Sequence, residues 1–263
     1  MDESPLVDRP SVIPPVPSAS RASRPGREIA KVTIVVPAYN EARTIGDVLR
    51  RIAAIEFPIA KEVLVVDDGS RDDTLAIARE VAAAHPDIRV LTKSNGGKGS
   101  ALRHGFAQAT GDVVVVQDAD LEIDPSECVP LLAPFLQHDA DVVYGSRFLG
   151  KPIQWTSGHL ANRGLSWLTS VLFGGRVTDM ETSHKMIRTS VLTRIALTAN
   201  RFDIEPEITG KLRRLGYRIH EVPIGYQPRS KAEGKKIGWR DGVDAVAMLW
   251  RVRLLSLSQV RSS

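Results

Sequence analysis

The chain has 263 residues, 43% of them hydrophobic and 25% charged, which suits one large α/β domain or two small ones with an ordinary soluble core. A single cysteine, Cys128, excludes an internal disulfide and fits a reducing, cytosolic setting, and a net charge of +4 is too mild to argue for nucleic acid. No stretch approaches the roughly 20 apolar residues of a membrane-spanning helix, and the N-terminus lacks the apolar core of a signal peptide.

Residues 1–29 are rich in Pro and Ser, have no helical or strand period, and are expected to form a disordered tail. Apolar runs then alternate with helical patterns. Strands are expected over 31–40, 62–70, 87–93 and 112–117. Helices are expected over 44–55, 72–85 and 98–110, the second started by Ser70 with Asp73 at capping-box spacing. Beyond residue 120 come a short helix interrupted by prolines, a strand over 140–148, an apolar helix over 160–175, a helix over 202–217 and a strand over 218–229. A last helix, about 239–257, carries Val243, Val246, Ala247, Trp250 and Leu254 on one stripe. Continuous apolar strands alternating with helices imply an α/β fold, a mostly parallel central sheet with helices on both faces. Residues 30–238 read as one catalytic domain, with 239–263 as a C-terminal amphipathic helix and tail.

In such sheets ligands bind at the carboxyl ends of the strands. Four polar clusters fall there: Asn40-Glu41, Asp67-Asp68, Lys93-Ser94-Asn95, and Asp118-Asp120. They predict a single site. In "VVVVQDADLE", a four-valine strand ends in Asp118, Asp120 and Glu122, side chains that share a face if the strand stays extended. Carboxylates held that close call for a hard cation, Mg²⁺ or Mn²⁺, carrying a diphosphate. The competing reading is that they cap the turn that begins at Asp124-Pro125. The loop "NGGKGSALRHG" opens a helix with glycines and Lys98, an arrangement suited to an anion, though it matches neither a P-loop nor GxGxxG. In "VVDDGSRDDT", capping accounts for Ser70 but not for both Asp67 and Asp68.

Together, "VVPAYNE", "VVDDGSRDDT", "NGGKGSALRHG", "DVVVVQDADLE" and "GSRF" resemble, in order and spacing, the family 2 glycosyltransferases, in the branch of dolichyl- and polyprenyl-phosphate sugar synthases. The resemblance runs from about Lys31 to Gly242. It implies the nucleotide-diphosphosugar transferase (Rossmann-like) fold, inversion at the anomeric carbon, and a nucleotide-sugar donor such as GDP-mannose or UDP-glucose. It assigns the nucleotide to Pro37, Tyr39, Asn40, Glu41, Asp68, Lys98 and Asp118. Asp120 would bind the metal, with Asp118 and with Glu122 at a position where this branch often has Gln. Arg147 would neutralise a phosphate. In "TDMETSHKMIR" the acceptor-side Lys185 is retained, while His184 replaces the more usual Tyr. Arg229, Lys235 and Lys236 would close a basic loop over the phosphates.

Charge chemistry points the same way. Expelling a nucleoside diphosphate needs cations. A hydroxyl acceptor also needs a general base, for which Asp179 and Glu181 are the candidates, whereas a phosphate acceptor is already nucleophilic. From residue 211 onward there are twelve Lys/Arg against four Asp/Glu, which suits an anionic neighbour such as lipid headgroups or a phosphate, or else a solvated basic face. A lipid-phosphate acceptor would lie at the membrane, with the protein peripheral on its cytoplasmic face. The 239–257 helix, with Arg251 and Arg253 opposite its stripe, and the helix around Trp167, Leu168 and Phe173 would touch the bilayer. The alternatives are packing on the core, a homodimer or a membrane-protein partner. Three other functions compete: transfer to a hydrophilic glycan, a non-catalytic nucleotide-sugar-binding module, and a haloacid-dehalogenase-type phosphatase. The last would carry its Asp-x-Asp on the first strand.

Overall fold

The four valines of β4 (Val113–Val116) are buried on both sides, Val113 and Val115 in one apolar cluster and Val114 and Val116 in the other. That is the signature of a central strand covered on each face. The computed structural model describes residues 28–150, 157–228 and 239–262. The elements preceding β4 are β1 (Lys31–Ala38), α1 (Ile45–Ala54), β2 (Ala60–Asp67), α2 (Thr74–Ala83), β3 (Ile88–Thr92) and α3 (Lys98–Gln108). After β4, two 3-10 turns (Pro125–Cys128 and Pro130–Leu132) lead into α4 (Ala133–His138) and β5 (Val142–Ser146). Then follow α5 (Ser157–Phe173), β6 (Lys185–Arg188), α6 (Thr189–Leu192), α7 (Ile204–Arg214), β7 (Ile219–Pro223), α8 (Trp239–Leu254) and α9 (Leu257–Val260).

The seven strands run in the order β3-β2-β1-β4-β6-β5-β7. All pairings are parallel except those of β6, which is antiparallel to both β4 and β5. The α/β class and mostly parallel sheet are as the sequence implies. The order reverses at β1 and β4, so their carboxyl ends open the crevice that such sheets use for ligands.

Three local expectations need correction. β6 was not anticipated: it is four residues long, bounded by Lys185 and Arg188, and it is buried by pairing on both sides and by packing of Met186 and Ile187 into the two apolar clusters. Ser70 does not cap α2. The helix starts at Thr74 after Asp73, and the Ser70 hydroxyl instead accepts the Asn40 N–H at 3.0 Å. The last helix stops at Leu254, and Ser256 with Gln259 makes a capping box that starts α9. Moreover, α8 buries Ala245, Met248, Leu249 and Val252, while Val243, Trp250 and Leu254 of the expected stripe are exposed. The expected tail lies almost wholly outside the described residues, as does the basic loop with Arg229, Lys235 and Lys236.

At the opposite end of the sheet, Glu62 accepts the Thr33 hydroxyl (2.5 Å), the Thr110 N–H (2.6 Å) and Lys31 (3.1 Å). Burial opposes its ionisation, but these donors more than offset it and hold the carboxyl down at about 2. A depressed carboxyl stabilises the fold above its unfolded value of 4.5, and that stability fades as pH falls toward 2. Glu62→Gln should therefore lower the melting temperature at pH 7. The gap from wild type should shrink as pH falls from 4.5 toward 2, and a gap constant with pH would refute this account.

Candidate active site

The strand-end clusters do converge. One cavity of about 290 Å³ is lined by Pro37, Tyr39 and Glu41 after β1, Asp68 after β2, Asn95 after β3, and Asp118, Asp120 and Glu122 after β4. Lys98, Arg147, Glu181, Ser183, Phe202, Glu205 and Tyr226 complete it.

The acidic turn is built from inside. Gln117 is fully buried, and its amide donates to the carbonyls of Asp118 and Ile123, both at 3.1 Å. The Thr44 hydroxyl donates to the Ala119 carbonyl at 2.7 Å, which ties the turn to the start of α1. Leu121 takes φ = 60°, so the chain turns and does not continue as a strand. That overturns the expected one-faced row of carboxylates. Asp118 meets Lys98 at 2.8 Å, Asp120 accepts the Glu122 N–H at 3.1 Å, and Glu122 accepts the Tyr226 hydroxyl at 3.1 Å. Among the described residues, no three His, Cys, Asp or Glu side chains gather as a ready cation cage.

Lys98 sits at the start of α3, behind Gly97, whose φ of 93° and contact with the Asn200 carbonyl leave no room for a Cβ. Its ammonium also reaches Glu205 at 3.3 Å. Burial works against its charge, but Asp118, Glu205 and Asp120 hold its pKa above the ordinary lysine value. Asp118 in turn is lowered by Lys98, against the burial that would raise it. Both stay ionised.

Three of the expected site residues are held by the protein itself, and two of them lie off the cavity. Asp68 lines the cavity, yet its carboxylate accepts the N–H groups of Gly96 (3.1 Å) and Gly97 (2.7 Å), with Lys93 at 2.6 Å. The glycine-rich loop thus spends these amides on Asp68 and does not hold them open for an anion. Asn40, at φ = 51°, accepts the Arg71 N–H at 2.8 Å and does not line the cavity. Lys185 does not line it either. It is buried beneath, paired with Glu205 at 2.5 Å and donating to the Met180 and Thr182 carbonyls.

Arg147 does face the cavity. Its guanidinium makes a bidentate pair with Asp179, 2.8 and 2.7 Å, and lies 5.2 Å from the Tyr226 ring centroid. Asp179 is fully buried in that pair, which removes it as a candidate base. Glu181 lines the cavity, and burial pushes its carboxyl up to about 7. His184 is fully buried and held by that burial at about 4, hence neutral near pH 7, with Nε2 3.4 Å from the Cys128 sulfur. Glu205, Phe202 and Tyr226 were not foreseen. Glu205 reads as an ordinary acid in a helix's first turn, and only its two lysine partners reveal its place.

With the geometry in hand, comparison with known proteins is decisive. A family model described as "Glycosyl transferase family 2" matches residues 33–195. The chain belongs to glycosyl transferase family 2. The family reading made from the motifs holds. A dolichol-phosphate mannosyltransferase of Pyrococcus furiosus is 30% identical over 213 residues, which cover 79% of this chain and 60% of that protein. An undecaprenyl-phosphate 4-deoxy-4-formamido-L-arabinose transferase of Sodalis glossinidius is 44% identical over 121 residues, covering 44% of this chain and 36% of that protein. The matches thus span from about a third to three fifths of these relatives' length. Among solved structures, glucosyl-3-phosphoglycerate synthase from Mycobacterium tuberculosis, in complex with Mn²⁺, UDP and glucosyl-3-phosphoglycerate, is similar with a TM-score of 0.67. It is 24% identical over 86% of this chain and 81% of its own, which establishes a shared fold. The same enzyme with Mg²⁺ and UDP gives a TM-score of 0.66.

Proposed function

We propose that this protein transfers a hexose, with inversion, from a nucleotide-diphosphosugar such as GDP-mannose or UDP-glucose to a polyprenyl or dolichyl phosphate. The observation that carries this reading is the meeting, in one cavity, of the acidic turn with Lys98 and Arg147. The names of the curated relatives, transferases to dolichol phosphate and undecaprenyl phosphate, support the acceptor class.

In this reading Pro37, Tyr39 and Glu41 line the nucleoside end. Asp68 positions that end by holding the 93–97 loop. Asp120, with Asp118 and Glu122, would hold Mg²⁺ or Mn²⁺. The donor set fits, because such ions commonly take one or two carboxylates and complete their shell with substrate phosphate oxygens and water. When bound, the ion would offset the charge of the leaving diphosphate. Arg147, pre-oriented by Asp179, receives phosphate oxygens through its cavity face. Arg229, Lys235 and Lys236 are proposed to add cations from outside the described residues. No base is required, since a phosphate acceptor is already ionised.

The same reading sets the protein at a membrane surface. Among the described residues no helix is long and apolar enough to cross a bilayer. Instead α5 exposes Leu160, Trp167 and Val171, and α8, packed beside it, exposes Val243, Trp250 and Leu254. Arg251 and Arg253 flank the α8 face, a combination suited to anionic headgroups. We assign residues 30–238 to catalysis and 239–263 to this surface helix and tail.

The test is transfer from a panel of nucleotide sugars to a short polyprenyl phosphate, with Mg²⁺ or Mn²⁺ and an EDTA control. The expected result is a metal-dependent lipid-phosphate sugar from one donor. Transfer to free glycans with none to the lipid phosphate would sink the acceptor assignment.

A further inference from the structure

Most buried or half-buried carboxylates among the described residues are well supplied with donors. Glu62 has three donors, as described. Glu207 accepts from the N–H groups of Thr198 and Ala199, from the Thr198 hydroxyl and from Lys211. Glu221 accepts from the Thr178 N–H and hydroxyl and from the Asp179 N–H. Two carboxylate oxygens among the described residues, Glu205 Oε1 and Glu181 Oε1, are shielded without a hydrogen-bond partner, and of these Glu205 Oε1 has Lys98 at 3.3 Å. Glu181 lines the cavity. The cations near it are committed elsewhere, Arg147 to Asp179 and Lys185 to Glu205. Leaving such an oxygen unpaired costs about 1–3 kcal/mol, so a ligand that completes it gains correspondingly.

Topology says which ligand atom arrives there. Tyr39 and Asp68 follow β1 and β2, on one side of β4. Glu181 precedes β6, on the other side of β4 and its acidic turn. A nucleotide sugar with its nucleoside at β1–β2 and its diphosphate at the turn therefore extends its sugar toward Glu181. An acceptor phosphate is disfavoured there, because Glu205 and Asp179 add negative charge while Arg147 offers the cation. We propose that Glu181 is a specificity-determining residue whose Oε1 binds a hydroxyl of the transferred sugar. The inference rests on the donor reading above. Burial first, and then Glu205 and Asp179, raise this carboxyl to about 7 against Lys185 and Arg147, so it can donate as well as accept.

The experiment measures, by calorimetry on the full chain, binding of UDP, UDP-glucose, GDP and GDP-mannose to wild type, Glu181→Ala and Glu181→Gln. For whichever nucleotide sugar wild type binds, Glu181→Ala should weaken affinity about ten- to a hundredfold. The matching nucleoside diphosphate should stay within about twofold, because it lacks the sugar that Glu181 contacts. Glu181→Gln, which keeps a hydrogen-bonding group, should lose less. Equal losses for sugar and diphosphate would mark Glu181 as structural and overturn the proposal, and so would an unchanged nucleotide-sugar affinity. If wild type bound none of the four, the donor reading would fail first, before any variant was compared.

Discussion

Replacing Asp120 with Ala is expected to lower transfer by about 10²–10³-fold or more while the fold stays intact, the scale seen when one preorganised electrostatic partner of a developing charge is lost. Asp120 sits on a turn braced by Gln117 and Thr44, and the fold does not hang on its carboxylate. Asp120 accepts the Glu122 N–H at 3.1 Å, a bond that Asp120→Asn retains. The Asn variant should therefore melt with wild type and still lose most of its transfer. The measurement is single-turnover transfer with the donor that the panel selects, alongside nucleoside-diphosphate affinity with and without Mn²⁺. Loss of the metal-dependent part of that affinity, with the metal-independent part kept, would assign Asp120 to the ion. Full transfer by Asp120→Ala would remove the metal-assisted reading.

Lys185→Met should behave differently. Lys185 is completely buried, and its ammonium answers Glu205 and two carbonyls. Glu205 also meets Lys98, which meets Asp118, so a chain of alternating charge runs from beneath β6 up to the acidic turn. Removing one member of a buried pair leaves the other uncompensated, at about 3–5 kcal/mol. In a chain of this size that lowers the melting temperature by roughly 6–20 °C. A double change, Lys185→Met with Glu205→Leu, should recover part of that stability, because it removes both buried charges, but not the transfer, because Lys98 loses a partner. A Lys185→Met protein that melts like wild type yet cannot transfer would restore the direct catalytic role that its motif position implies. We propose instead that it is a positioning residue, acting on Lys98 through Glu205.

The sequence by itself determined the class, the strand ends and the family. Those signals are local. A parallel strand buried on both faces must be continuously apolar, and the polar residues just past it must lie at the carboxyl edge, so "VVVV" and "QDAD" announce both the layer and the side on which ligands bind. The convergence of the β1, β2 and β4 ends on one cavity followed from the same rule. Tertiary structure alone decided which charges meet. Whether Asp118, Asp120 and Glu122 share a face depended on one positive φ at Leu121, and Lys98, Gln117 and Tyr226 then parcelled the turn out. Asp68, expected at the nucleotide, lines the cavity and also holds the 93–97 loop. Lys185, expected on the acceptor side, lies under the floor, and the apolar stripe of α8, for which bilayer contact and core packing were both open, faces outward at Val243, Trp250 and Leu254. Periodicity reports how a segment is buried, not what buries it, and ion pairs form between residues that only the folded chain brings within about 3 Å.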